Sequence, residues 1–560
     1  MTNFKLLGLG FLGLSVLLAG WFWWQSPRRV DMAAYVPADT LVFMETNSLP
    51  ALTEALTQTE AWRLAATPAG LSANFGKLGW LGRLAAWTGL GPADKVALAR
   101  SQVAVAVMGA KLGAGDDALK LKPHYAVIVE THTSLARVRP VAEALLTNFA
   151  NRAYGSTRFE TREAGGANLS IWSSPDGSKS IVAAFLGTAI FIGPGESVVR
   201  ACLDAKTGAR PNLEGNSGLT EMRSRLDSPN SLAFGYLAPD GLGEALKLGA
   251  IAYATPIVLS DPRIGSAMES LLPSLPPQIT NGLGWSSRFN NGAIEDRYFV
   301  SLKNGLAEQL RGSMAAENNS QTKLAQFTPG GFYSLSQYNF RQPSAAWLEL
   351  NKALAAKLDV VGAVLTIRLL AATFKPYGIE EPGAFLSAIG PEAATLRIDS
   401  EGGGTVTIVK IGNEQALRDF AKKRLGTDLR RETIGDAEFL IPTDEERGSF
   451  AFADGYLLMG AVANVRTCLE ARLKSLSQPN NPQIPASSGA QAVTYTNDQD
   501  AARAFLAIVA KDKAQPAALS NALKQLPYAA SETRLAADGF EKRTRSSFGL
   551  VGSVIAQFAP

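Results

Sequence analysis

Apolar positions keep two rhythms along this chain. From Leu6 to Trp24 they run together: LLGLGFLGLSVLLAGWFWW carries no charge over 19 residues. A helix of that length spans about 28 Å at about 1.5 Å per residue, close to the hydrocarbon thickness of a bilayer. Trp21, Trp23 and Trp24 stand where an interfacial aromatic belt belongs, and Arg28 and Arg29 follow them. The stretch is longer than the apolar part of a signal peptide and has no A-x-A-like cleavage site. LLAGW is similar to a lipoprotein cleavage box but lacks the lipid-bearing cysteine. The expectation is an uncleaved signal anchor over residues 1–29, spanning the membrane at about 6–24. Lys5 on one side and the two arginines on the other leave the positive-inside rule undecided. A single N-terminal anchor ahead of a large body is the usual export arrangement, so the body is expected outside the cytoplasm. Gly8, Gly10 and Gly13 spell GxGxxG inside the anchor; with no strand before them, they read as glycines of a membrane helix.

Beyond residue 30 the rhythm changes to short β-branched runs of period two, alternating with amphipathic stretches of period 3.6. It then repeats. YAVIVETHTSLARVRPVAEALL at 125–146 matches TVTIVKIGNEQALRDFAKKRL at 405–425, each a strand followed by a helix. FETREAGGANLSIW and LRRETIGDAEFLI both read as hairpins around glycine. The chain's two cysteines lie in VRACLDA at 199–205 and VRTCLEA at 465–471. VPADTLVFMETNSLPALTEAL faces TPGGFYSLSQYNFRQPSAAWLEL, with Pro37 and Pro329, and Asn47 and Asn339, at one offset of 292. NSLAFGYLAPDGLGEALKLGAIA faces AQAVTYTNDQDAARAFLAIVA, and GAIEDRYFVSL faces DGFEKRTRSSF. Three modules therefore occur twice in the same order. The predicted units are 30–311 and 327–560, with a polar linker at 312–326. TGARPNLEGNSG and SQPNNPQIPASSG fall at the same place in each unit.

Recurrent paired strands with glycine turns predict an α+β fold: an N-terminal transmembrane helix, then a tandem duplication of a three-module unit with mainly antiparallel sheets and helices on one face. Val199, Cys202 and Leu203, like Val465, Cys468 and Leu469, fall at i, i+3, i+4, which places each thiol on the apolar stripe of a helix. Core thiols are expected, with no disulfide and no metal site. Three apolar stretches stand out besides the anchor. FGKLGWLGRLAAWTGLG at 75–91 makes Trp80, Leu84 and Trp87 candidates for a membrane or ligand surface. Val360 to Phe374, interrupted by Arg368, and 248–259 are too short to span.

Composition narrows the functional classes. The 560 residues hold 54 basic and 50 acidic side chains, a near balance with no Lys/Arg stripe, so no nucleic-acid footprint is expected. The only histidines, His124 and His132, flank one predicted strand and read as surface residues too far apart to share a metal. No HExxH, GxxxxGK[ST], GxSxG or EF-hand pattern occurs, and no cofactor or metal is expected. Carboxylates remain, but Asp39 and Glu45 become Gly331 and Gln337 in the second unit, and Glu130 becomes Lys410.

Pro37-Ala38-Asp39-Thr40-Leu41, with Phe43 two residues on, follows directly on the expected anchor. This opening resembles an uncharacterised bacterial family of membrane-anchored envelope proteins, which carry a domain of unknown function. The resemblance implies an inner-membrane, single-pass protein with a periplasmic body, and brings no catalytic residues. The resulting expectation is a non-catalytic interaction or scaffold module with a protein partner. Binding of a lipid or other apolar ligand and carboxylate-dependent hydrolysis are the alternatives. A deep apolar cavity favours the ligand, carboxylates gathered in one cleft favour the hydrolase, and packed interiors with an exposed apolar patch favour the scaffold.

Overall fold

A computed structural model describes residues 29–71, 101–113, 120–164, 166–248, 272–303, 305–316, 323–400, 404–477, 489–509 and 515–557. The anchor residues Trp21, Trp23, Trp24 and Arg28, and the candidate surface residues Trp80, Leu84 and Trp87, lie outside these. Among the described residues no helix is long and apolar enough to cross a membrane. The described chain is mixed helix and strand around one antiparallel sheet of twenty strands.

The first ten strands are β1 (Val42–Thr46), β2 (Gln102–Gly113), β3 (Lys120–Glu130), β4 (Arg158–Ala164), β5 (Ala167–Ser173), β6 (Ser180–Leu186), β7 (Ala189–Gly193), β8 (Ala233–Leu237), β9 (Thr280–Asn290) and β10 (Ala293–Leu302). The second ten are β11 (Ser334–Asn339), β12 (Ile389–Arg397), β13 (Thr405–Ile411), β14 (Leu429–Ile434), β15 (Ala437–Pro442), β16 (Ser449–Ala453), β17 (Tyr456–Gly460), β18 (Ala492–Thr496), β19 (Ala529–Leu535) and β20 (Gly539–Ser546). Across the sheet the order is β4-β5-β6-β7-β3-β2-β1-β8-β9-β10, then β20-β19-β18-β11-β12-β13-β17-β16-β15-β14, with every neighbour antiparallel.

Read outward from the β10–β20 pair, the two halves follow the same order in the same register. Glu130 faces Ala189 across β3–β7, and Lys410 faces Tyr456 across β13–β17. At the seam Arg297 stands directly opposite Arg543. Each donates through Nε to the glutamate two residues before it, Glu295 at 2.8 Å and Glu541 at 2.9 Å, which offsets the like-charge contact. The outermost strands, β4 and β14, carry Arg158, Glu160, Arg162 and Glu163, and Arg430, Arg431 and Glu432. Charged edges of this kind oppose further strand addition.

Helices cover both faces, not the single face expected. In β3, Ala126 and Ile128 pack with helix α4 (Glu196–Thr207), while Val129, the next residue along, packs with α3 (Leu135–Tyr154). Successive strand residues point to opposite faces, so these helices lie on opposite sides. The reason is that both faces are apolar: in β6 the five consecutive residues Ile181–Phe185 are all buried, with no polar side to leave in water. Cys202 on α4 and Cys468 on α10 (Val462–Ser477) are free and fully buried, each in the main cluster of its half. Burial pushes both thiols up to about 12.

The halves share a core. Helices α1 (Leu49–Gln58) and α2 (Glu60–Ala65) pack against the second half's α11 (Gln499–Val509), α12 (Pro516–Leu523) and α13 (Gly549–Gln557). Trp62 and Phe505 meet at 6.5 Å within that cluster. Ser48 caps α1 by accepting from the Ala51 N–H at 3.2 Å, and Pro50 sits in its first turn.

Candidate functional site

The space that matters most lies between the sheet and the second half's helical layer. Helix α6 (Pro343–Lys357), α7 (Val360–Ala372) and α8 (Pro382–Ala388) precede β12. Each start has a local cause. Pro343 and Pro382 stand in the first turns of α6 and α8, and Asp359 caps α7 by accepting from the Gly362 N–H at 2.6 Å. At Gly390-Pro391 the β12–β13 pairing slips, because proline has no N–H to give. The bulge and the small side chain of Ala393 beyond it leave the helices unsupported by bulk at this point.

A cavity of about 390 Å³ results, inside the range of about 300–1,000 Å³ usual for small-molecule sites. Phe340, Phe374, Ile379, Phe385, Leu386, Ile389 and Val409 make its wall apolar. Trp347 supports Phe374 edge-on, with ring centroids 5.5 Å apart. Tyr338, Tyr377, Thr373, Thr395 and Thr407 supply its polar atoms. Burial pushes the Tyr377 phenol above its ordinary value, with the neighbouring Tyr338 second, so it stays a neutral donor at physiological pH. The cavity's aromatic wall comes from the Val360–Phe374 stretch and its continuation. Val360 itself is 82% exposed and Val364 49%, so α7 turns part of its apolar surface outward.

Beneath the bulge, on the opposite side, Glu392 is buried and accepts from the Tyr456 hydroxyl at 2.6 Å, with Lys410 Nζ at 3.6 Å. The first half builds the same pair from other positions. Glu130 stands where the second half has Lys410, and it accepts from the Tyr35 hydroxyl at 2.8 Å. Lys206 lies over the Tyr35 ring at 3.7 Å. Gln102, in the place of Glu392, accepts from the Val30 N–H at 2.9 Å and donates to Val30 O at 3.1 Å. His132, expected on the surface, is half-buried with Nε2 2.9 Å from Gln102 Oε1, because its left-handed backbone (φ 49°) folds it back over the strand end. Arg29, expected at the membrane interface, is exposed and donates to Pro229 O at 3.0 Å.

Two further carboxylate clusters occur, of which sequence analysis names only Glu45. Arg223 on helix α5 (Ser217–Arg225) binds Asp31 at 2.7 and 2.8 Å and Glu45 at 3.0 Å. Burial pushes Glu45 above its ordinary value although Arg223 pulls the other way. At the seam, a cleft of about 230 Å³ is lined by Asp296 and Asp498 together with Ser531, Thr544 and Ser546. Burial raises both aspartates. Asp296 accepts from Trp285 Nε1 at 3.1 Å, the Ser287 hydroxyl and the Leu550 N–H at 2.7 Å; Asp498 accepts from the Ser547 N–H at 2.5 Å. The Asp296 bonds tie the start of α13 to β9 and β10, and the Asp498 bond ties the β20–α13 junction to the start of α11, structural duties that account for both groups. Among the described residues, no three His, Cys, Asp or Glu side chains gather as metal ligands. In comparisons with protein-family models, curated proteins and solved structures, none matches this chain.

Proposed function

We propose that this chain is a single-pass envelope protein of the bacterial inner membrane, with its body in the periplasm, that binds a lipid or other apolar ligand without chemistry. The body is a tandem duplication, a reading supported by ten strands recurring in one order on each side of the β10–β20 pair. The observation that carries ligand binding is the cavity behind Phe374 and Phe385. A partly open space of this size lined by aromatic rings falls in the class of small-molecule sites and is a place for a guest. The test is to purify the full chain from its own membranes and extract it with organic solvent. A stoichiometric lipid-like molecule supports the reading, and an extract without one rejects it.

The scaffold reading rests on a different surface. Helix α3 has 20 residues against 12 in its counterpart α9 (Glu414–Leu425). Phe149 on its extra turns, Leu145 one turn earlier and Phe159 on edge strand β4 are all exposed. Cross-linking in native membranes with capture through a C-terminal tag tests it. A reproducible stoichiometric protein that is lost on Phe149→Ser and Phe159→Ser substitution supports a protein partner there.

A further inference from the structure

The cavity's polar atoms continue into a row of hydroxyls. Thr407, Thr395, Ser336, Thr494, Ser531 and Thr544 are consecutive direct cross-strand partners on β13, β12, β11, β18, β19 and β20. Directly opposed residues share a face, so the six side chains form one line across the strands, about 4.8 Å apart. The line begins in the apolar cavity, which Thr395 and Thr407 help to line. It ends in the seam cleft, which Ser531 and Thr544 help to line.

Cross-strand hydroxyl pairs stabilise sheets on their own account, and two such pairs occur here: Ser336 with Thr494 at 3.0 Å, and Ser531 with Thr544 at 2.8 Å. Two observations exceed that role. In the first half, the same topological positions are Val127, Val105, Met44, Gly235, Trp285 and Tyr298, consecutive partners with no aliphatic hydroxyl among them. The fold therefore does not require hydroxyls there. Thr407 is only 7% exposed and lines the cavity. A hydroxyl set in an apolar wall favours a guest that brings a polar atom to it.

We infer that the guest is an amphiphile with an uncharged, hydroxyl-rich head, a sugar- or polyol-bearing lipid. This rests on the cavity being a ligand site. The chain lies among Phe374, Phe385 and Val409, and the head follows the row from Thr407 toward Thr494. Hydroxyls both donate and accept, as a polyol does. The six positions of the row carry no cation to select a phosphate or carboxylate head, and Arg397, two residues from Thr395, is engaged by the Tyr333 ring and Ser400 O.

The experiment uses the full chain in amphipol and three probes of one chain length, all below their micellar concentrations: octyl glucoside, octanoate and octanol. Calorimetric titration is run on the native protein and on the T395V/S336A/T494V variant, whose fold is checked by circular dichroism, and on T407V as a single, milder change. The inference predicts that octyl glucoside binds at least tenfold more tightly than octanoate or octanol. It also predicts that the variants lose that preference, octyl glucoside binding falling to the level of octanol. Equal binding of all three probes, or a preference the variants keep, overturns the head-group assignment and leaves the cavity standing. No binding of any probe overturns the cavity reading itself.

Discussion

Ala393→Leu is the sharpest single perturbation, because the sign of its effect depends on whether the cavity is there. Ala393 sits on β12 between Tyr338 and Val409 and faces the 390 Å³ space. Leucine adds three carbon atoms. At about 0.8 kcal/mol for each buried methylene, entry into an existing void stabilises the protein by up to about 2 kcal/mol. The same atoms forced into a close-packed wall cost about 1–3 kcal/mol. Urea unfolding of the full chain, followed by circular dichroism, separates the two. The account predicts a midpoint shifted upward at unchanged slope, together with weaker octanol binding. A midpoint shifted downward would refute the reasoning, since it would mean that the wall is already filled.

Arg223→Met strands Glu45 in the interior and should cost about 3–5 kcal/mol near neutral pH. Burial already holds the Glu45 pKa above its unfolded value, so its penalty grows as pH rises through the interval between the two and vanishes below it. The variant should therefore recover stability relative to the native protein on mild acidification; a deficit independent of pH would count against this. Asp296→Ala leaves the Trp285 and Leu550 donors unsatisfied, at about 1–3 kcal/mol each, less the relief of an unburied carboxylate. Hydrogen exchange in residues 549–557 should speed up more than elsewhere, and uniform exchange would refute a capping role for Asp296. Cys202 and Cys468 should be silent to thiol reagents in the folded chain and give two equivalents after denaturation; zero equivalents after denaturation would reveal a disulfide instead.

The modular order was legible because strands announce themselves by β-branched runs, and glycine turns recur at matching places. Pro37 and Pro329, and Glu45 and Gln337, stand one offset apart in the sequence and hold corresponding register positions or strand entries in the fold. What joins the halves was not legible. GAIEDRYFVSL and DGFEKRTRSSF are related in sequence, but nothing in either says that they pair with each other and fuse two sheets into one. Helix placement failed for a related reason: a strand with two apolar faces looks, in sequence, like any apolar run.

The cavity was half visible. The apolar stretch ending at Phe374 was evident, whereas the bulge at Gly390-Pro391 and the lack of bulk at Ala393 become a void only in three dimensions. The hydroxyl row is spelled by Thr405-Val406-Thr407, Ser334-Leu335-Ser336 and Thr494-Tyr495-Thr496, each a hydroxyl on either side of an apolar residue. Their alignment depends on register between strands distant in sequence, which no local pattern encodes. The buried Tyr–Glu pairs illustrate the limit further. Glu130 and Glu392 are not equivalent positions, so comparing the repeats residue by residue hides that each half keeps one buried glutamate bonded to a tyrosine.

Native mass spectrometry of the full chain released from its own membranes tests the central claim most directly. The account predicts one amphiphilic small molecule retained per chain, with its occupancy reduced by Ala393→Leu. A bare chain mass in both proteins, with a stoichiometric protein partner captured in parallel, would contradict it.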